Sequence, residues 1–217
     1  MFIQFEGPEC TGKTTVAKML EERLADKGYD VYSTKEPGSP LEDTCKDLRQ
    51  LLLHKDRPIT DEAALFMFLA DRAQHMHKVV LPLLKEGKIV ICDRGSLSTL
   101  FYYVASLKEE WNFPKTNPLY DMLSLAAAHT RPDICFISNA DTVWMELQLE
   151  AKDKDRIESK GDEFHSRVAK YFANEEGINS LQGKSFAPKQ CVYMPRVPDY
   201  TPKQVTEFVY NKVKEMV

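Results

Sequence analysis

Apolar residues recur along the chain in two alternating kinds of run. Short, nearly continuous apolar runs alternate with longer ones in which apolar positions return every three or four residues. The first kind fits strands buried on both faces, and the second fits helices with one buried stripe. Strands are expected at 2–6, 30–34, 89–92, 134–138 and 190–194. Helices are expected at 13–27, 41–53, 61–86, 98–108 and 119–129, from Asp141 or Thr142 to 151, and at 161–174 and 201–216. Segments 111–118 and 175–189 are polar and loop-like. Ser39 is placed to cap the second helix, with Pro40 at its first turn. In the long third helical stretch of the chain, Leu65, Phe66, Leu69, Ala73 and Met76 keep helical spacing, and Gly87 ends it. Pro82 should kink that helix near its end.

Strand–helix alternation predicts an α/β fold: a five-stranded parallel sheet flanked by helices, in one domain spanning 1–217. Ligands gather at the carboxyl ends of strands in such sheets. Segments 7–14, 36–38 and 93–94 should therefore face one cleft.

Composition narrows the class only moderately. Hydrophobic content of 43% and charged content of 29% are ordinary for a globular chain. A net charge of −4 argues against general nucleic-acid binding. No apolar run is long enough to span a bilayer, and the N-terminus has no signal-type core. A cytoplasmic location follows as the expectation, in the cytosol of a cell or of a virus-infected cell. The cysteines, at 10, 45, 92, 135 and 191, have neither metal-site nor disulfide-framework spacing. The histidines at 54, 75, 77, 129 and 165 fit no metal spacing and receive no role.

The strongest chemical signal lies between the first strand and first helix. Gly7-Pro8-Glu9-Cys10-Thr11-Gly12-Lys13-Thr14 satisfies G-x-x-x-x-G-K-[ST], and Thr15 continues into the helix. Such a loop turns backbone N–H groups onto phosphate oxygens, and the helix N-terminus favours the same anion. Lys13 would reach the β/γ-phosphates of a bound triphosphate, and the Thr14 hydroxyl would ligate Mg²⁺. No guanine-reading N-K-x-D and no transporter signature is present. Asp93-Arg94 closes the third strand, and 151–160 (AKDKDRIESK) is nearly all charged. That second stretch is either a solvated helix face or a basic lid over the phosphates. Phe68 and Arg72, four apart, share a helix face and could stack on a base and bind its edge. A core aromatic and a structural ion pair are the plainer readings of Phe68 and Arg94.

Six segments together carry a resemblance: FIQFEGPECTGKTT, STKEPGS, LRQLLL, FMFLADRAQ, DRGSLSTLFYY and DRIESKGDEFHSRV. The sequence resembles the thymidylate kinase family over most of its length. The resemblance implies the three-layer P-loop kinase fold of nucleoside monophosphate kinases, with a short lid. It implies transfer of the γ-phosphate of ATP to the 5′-phosphate of dTMP, with Mg²⁺, by a homodimer. By the same resemblance, Glu9 contacts the deoxyribose 3′-OH, and Glu36 and Pro37 form the turn beside the acceptor. Arg49 lines the acceptor site, Phe68 stacks on thymine, Arg72 binds its edge, and Ser98 borders the base. Tyr102 packs on the sugar. Arg94 holds the monophosphate, and Asp93 stands near Mg²⁺ or its waters. Lys152, Lys154 and Arg156 are the implied lid cations.

Cys10 stands where one branch of the family has a loop arginine. The catalytic cation is therefore expected from the lid: Arg156, with Lys154 or Lys152. Tyr103 and Ser138-Asn139 also depart from common family residues, which leaves a broader deoxynucleoside monophosphate kinase as the alternative. A deoxynucleoside kinase and a non-catalytic ATP-binding module are more distant ones.

Overall fold

The computed structural model describes residues 1–108, 110–138, 154–196 and 199–217. The expected helix at 141–151 and Lys152 lie outside the described residues. A five-stranded sheet is formed by β1 (Phe2–Glu6), β2 (Val31–Lys35), β3 (Ile89–Asp93), β4 (Ile134–Ile137) and β5 (Cys191–Tyr193). All pairings are parallel, in the spatial order β2-β3-β1-β4-β5. The helices are α1 (Lys13–Ala25), α2 (Asp43–Leu53), α3 (Asp61–His75), α4 (Leu81–Lys85), α5 (Ser96–Ser106) and α6 (Pro118–Ala126). After the undescribed segment come α7 (Asp162–Ala173), α8 (Glu175–Ser180) and α9 (Pro202–Lys214).

Both faces of the sheet are covered, which is why its central strands β1, β3 and β4 are buried almost throughout. Ile3, Phe5, Ile91 and Phe136 pack with Val16 and Leu20 of α1 and Val205 and Val209 of α9. On the opposite face Phe2, Val90 and Cys92 meet Met76 and Val80, while Cys135 and Ile137 join the core built by α3, α5, α6 and α7. Register then places the chemistry. Phe5 and Lys35 are both level with Asp93, and Glu6 is level with Ile137. Pairing continues past the strands, with Glu36 N–H donating to Asp93 O at 3.0 Å and Ser138 N–H to Glu6 O at 2.8 Å. The loop after β1, the turn after β2, Arg94 and Ser138 thus emerge on one rim.

Three expectations need correcting. The helix after β2 begins at Asp43, capped by Glu42, whose carboxylate accepts from Cys45 N–H at 2.9 Å. Ser39 is fully buried; its hydroxyl bonds Thr34 Oγ1 at 2.8 Å and accepts from Leu41 N–H at 3.3 Å, which lies ahead of the helix start at Asp43. The break in the long helix falls before Pro82, as a π-helical turn over Met76–Val80. Pro82 has no N–H for the Lys78 carbonyl and its ring would crowd it, so the chain widens one turn upstream. The polar stretch 175–189 contains α8, capped by Asn174, and buries Ile178, Leu181 and Phe186. Its few apolar residues were hidden among polar neighbours and too short a helix to show a period.

Candidate active site

A cleft of about 660 Å³ opens on the rim, lined by the loop after β1, the start of α1, the ends of β2 and β3, residues of α2, α3 and α5, and the 155–158 turn. Its floor is the loop 7–14. Gly7 takes φ 139° and runs so close to β4 that a Cβ there would lie 2.1 Å from Ser138 Oγ. Ser138 Oγ in turn lies 2.5 Å from Thr11 Oγ1 and donates to Glu6 O at 3.1 Å, tying the loop to the sheet. Lys13 folds inward, donating to Pro8 O and, at 3.2 Å, to Thr11 Oγ1. Burial and then neighbouring Arg94 lower the Lys13 ammonium to about 8. Cys10 lines the same cleft, half-buried, with φ 57°.

Thr14 Oγ1 donates to Asp93 Oδ2, bringing the first turn of α1 against the end of β3. Asp93 Oδ1 is buried and has no protein partner among the described residues. A hydroxyl and a carboxylate with an uncommitted oxygen are hard ligands that fit Mg²⁺. A second set of ligand-type atoms, on Glu36, His75 and Cys92, lies within 4.8 Å. Arg72 already sits 2.6 Å from the Glu36 carboxylate, so this set is an ion-pair network rather than a cation site.

Arg94 stands between floor and wall. Its Nη1 donates to Gly7 O at 2.9 Å and Ser98 Oγ at 3.1 Å, and Nη2 lies 2.7 Å from Glu9 Oε2. Tyr102 donates to the other Glu9 oxygen at 3.0 Å and places its ring 5.2 Å beneath the Arg94 guanidinium. Burial opposes the Arg94 charge, but the Glu9 carboxylate outweighs it and raises the pKa further. Burial also pushes the Tyr102 phenol well up, keeping it a donor. Glu6, fully buried below, accepts from the N–H groups of Leu97 and Ser98 at 3.0 and 3.2 Å. It thereby holds the start of α5, and burial raises its pKa.

The far wall is α3 with the turn after β2. Phe68 packs on the core edge and faces the cleft. Arg72 is buried, with Nε donating to Glu36 Oε2 at 2.8 Å and Nη2 to Thr99 Oγ1 at 3.0 Å. Burial would raise Glu36, yet Arg72 and His75 more than reverse this and hold it at about 2. Asp71 accepts from Gly38 N–H at 3.0 Å and is pushed up to about 6 by burial and by Glu36. Gly38 is required here: its φ is 83° and a Cβ would lie 2.5 Å from Arg49. Arg49 donates to Pro37 O at 2.7 Å.

One cleft therefore gathers Glu9, Cys10, Thr11, Gly12, Lys13, Thr14, Thr15, Glu36, Pro37, Arg49, Phe68, Arg72, Asp93, Arg94, Ser98 and Tyr102. Gly7 and Pro8 reach it through the carbonyls that hold Arg94 and Lys13. The lid cations are placed differently. The turn 155–158 shows Asp155, Ile157 and Glu158 to the cleft. Arg156 lies against the end of α2, donating from Nε to Leu52 O at 2.7 Å and from its backbone N–H to Leu53 O at 3.3 Å. Lys154 is half-buried and does not line the cleft. Sequence reasoning missed Asp71, Thr99 and Glu158, and noted Ser138 only as a departure from common family residues. Only Asp71 carried a visible hint, as a charged residue on the apolar face of α3.

A parallel sheet with a phosphate loop at its rim, and a second charged and aromatic wall opposite, defines a P-loop phosphotransferase. The family model described as thymidylate kinase matches residues 5–181. A thymidylate kinase of Synechococcus sp. (strain JA-2-3B'a(2-13)) is 39% identical, over 79% of this chain and 79% of its own. One from Maridesulfovibrio salexigens is 36% identical, over 99% of this chain and 97% of its own. The crystal structure of thymidylate kinase from Ehrlichia chaffeensis superimposes with a TM-score of 0.69 at 26% identity, covering 99% of this chain and 98% of that one. The chain belongs to the thymidylate kinase family.

Proposed function

We infer that the protein transfers the γ-phosphate of ATP to the 5′-phosphate of dTMP, giving ADP and dTDP. The observation that carries this is the single cleft holding both the phosphate loop and the Phe68–Arg72 wall, with Arg94 between them. Phosphoryl transfer is mostly positioning and charge neutralisation. The donor phosphates would lie on loop 7–15, and Lys13 would turn from Pro8 O to them. Thr14 and Asp93 would hold Mg²⁺, which supplies charge neutralisation at the β/γ-phosphates. The acceptor base would stack on Phe68 with its edge at Arg72, bordered by Ser98. Its sugar would meet Glu9 and Tyr102, and its phosphate Arg94 and Arg49, beside Glu36 and Pro37. Residues 1–217 are taken as one nucleoside monophosphate kinase domain with a lid near 151–160. Among the described residues no helix is long and apolar enough to cross a membrane, which suits the cytoplasmic placement proposed here. Coupled measurement of ADP release with dTMP, dUMP, dGMP and dCMP tests the reading. Turnover strongly favouring dTMP supports it, and equal turnover supports a broader deoxynucleotide kinase.

Arg156 and Lys154 are the proposed catalytic cations of the lid, since Cys10 leaves the loop without an arginine. Arg156 must then leave the carbonyls of α2 when the donor binds. Arg156→Ala is expected to cut turnover at least tenfold while leaving KM for dTMP within about threefold. Near-normal turnover with a lowered melting temperature would make Arg156 a clasp on α2 instead.

A homodimer is proposed from the outer helices. Phe66 on α3 is 59% exposed and Leu125 on the adjoining α6 is 70% exposed, large apolar groups on neighbouring elements. Sedimentation at micromolar concentration should find a dimer that Phe66→Asp dissociates; a monomeric wild type would refute it.

A further inference from the structure

His75 has no place in the cleft and no exposed surface, yet it is tied into the wall that would read the base. Arg72 grips a single oxygen of Glu36, with Nε and Nη2 both on Oε2 at 2.8 and 2.6 Å. One gripped oxygen leaves a carboxylate free to rotate. The second oxygen, Oε1, is held by His75 Nδ1 at 2.8 Å. The carboxylate can only accept, so Nδ1 carries the proton and donates. At the other side of the ring, His75 Nε2 lies 2.9 Å from Thr34 Oγ1, which bonds Ser39 Oγ at 2.8 Å. The series runs from β2 through His75 and Glu36 to Arg72. It ends on Arg72 Nη1, which is buried and has no protein partner among the described residues. That nitrogen is the one donor of Arg72 left for a ligand.

We propose that His75 is a positioning residue for acceptor recognition: by fixing the Glu36 carboxylate it aims the Arg72 guanidinium at the base edge. The proposal rests on the acceptor reading above. A histidine that merely fills the core would need bulk at this site. A positioning histidine needs a donor at the depth of Nδ1. Loss of that donor leaves a buried carboxylate oxygen without its partner, and the arginine that shares the carboxylate shifts with it.

The test compares amides of two lengths. Asparagine places its N–H₂ near the position of Nδ1, and glutamine places its own near Nε2. His75→Asn is expected to keep KM for dTMP within about threefold of wild type. His75→Gln is expected to raise it roughly tenfold to a hundredfold, with kcat and KM for ATP nearly unchanged. Thr34→Val, which removes the outer link at constant volume, should raise KM for dTMP in the same direction by a smaller factor. Equal effects of Asn and Gln, or effects confined to kcat, KM for ATP or melting temperature, would overturn the proposal. Should either histidine variant fail to fold, Thr34→Val decides, and an unchanged KM for dTMP counts against positioning. A wild type that transfers to another nucleoside monophosphate ends the dTMP reading alone, because the Asn–Gln comparison is then made on that acceptor. If wild type transfers to none, the comparison is made on dTMP binding by calorimetry.

Discussion

Lys13→Met should lower kcat by roughly a hundredfold to a thousandfold, the range seen when one preorganised donor to a developing charge is removed. Met keeps the length and apolar stem, so loss traces to the ammonium. That ammonium is buried against Pro8 O and Thr11 Oγ1, and it titrates near 8 in the ligand-free protein. An anion needs it charged. KM for ATP should therefore rise as pH climbs above about 8, and binding ATP there should take up a proton. The stability effect has a definite sign. A lysine whose pKa falls from 10.5 to about 8 on folding binds fewer protons folded than unfolded between those values, so stability rises with pH across that window. Lys13→Met removes both slopes. Rate measurements from pH 7 to 9.5 with denaturant titrations on both proteins check this; a flat wild-type KM for ATP would show that the loop lysine is charged throughout.

Much of the fold was legible because it rests on local periods. The strand at 2–6, the loop at 7–14 and the start of α1 at Lys13 fell where spacing placed them. Parallel pairing then carried 36–38 and 93–94 to the same rim, as strand–helix alternation implied. Capping was less legible. Ser39 has the right residue type for a helix cap, but its hydroxyl is used by Thr34, five residues back on β2. Local preference ranks residue types, and tertiary hydrogen bonds choose among them.

The site divides in the same way. Lys13, Thr14, Asp93 and Arg94 belong to contiguous motifs, and Phe68 and Arg72 to one helix face. The Glu36–His75 bond spans 39 residues, and Ser138 meets Thr11 across 127. Neither pairing leaves a period or a motif, so both were invisible before the sheet was assembled. Arg156 shows the converse. Charge density singled out its segment, but density carries no direction, and the Arg156 guanidinium lies against the end of α2.

Arg94→Ala should reduce kcat/KM for dTMP by about three orders of magnitude, while KM for ATP changes far less. The reason lies in how many groups one guanidinium joins. It spans Gly7 O in the loop, Ser98 Oγ on α5 and Glu9 Oε2, and it lies over the Tyr102 ring. These belong to the phosphate loop and to the opposite wall alike, so on the proposed reading Arg94 would set the separation between the reacting groups as well as supply charge. Arg94→Lys should not restore activity. An ammonium has no planar fork and cannot meet a carbonyl, a hydroxyl and a carboxylate from two nitrogens. The backbone adds a check on folding. Arg94 has φ 75°, which glycine adopts without strain, so Arg94→Gly should be at least as stable as Arg94→Ala and equally inactive. The double variant Glu9→Gln/Arg94→Ala measures the coupling. Because Glu9 holds the arginine directly, the two losses should fall well short of adding. Strict additivity, or a single Arg94→Ala variant within tenfold of wild type, would remove Arg94 from the centre of the reaction.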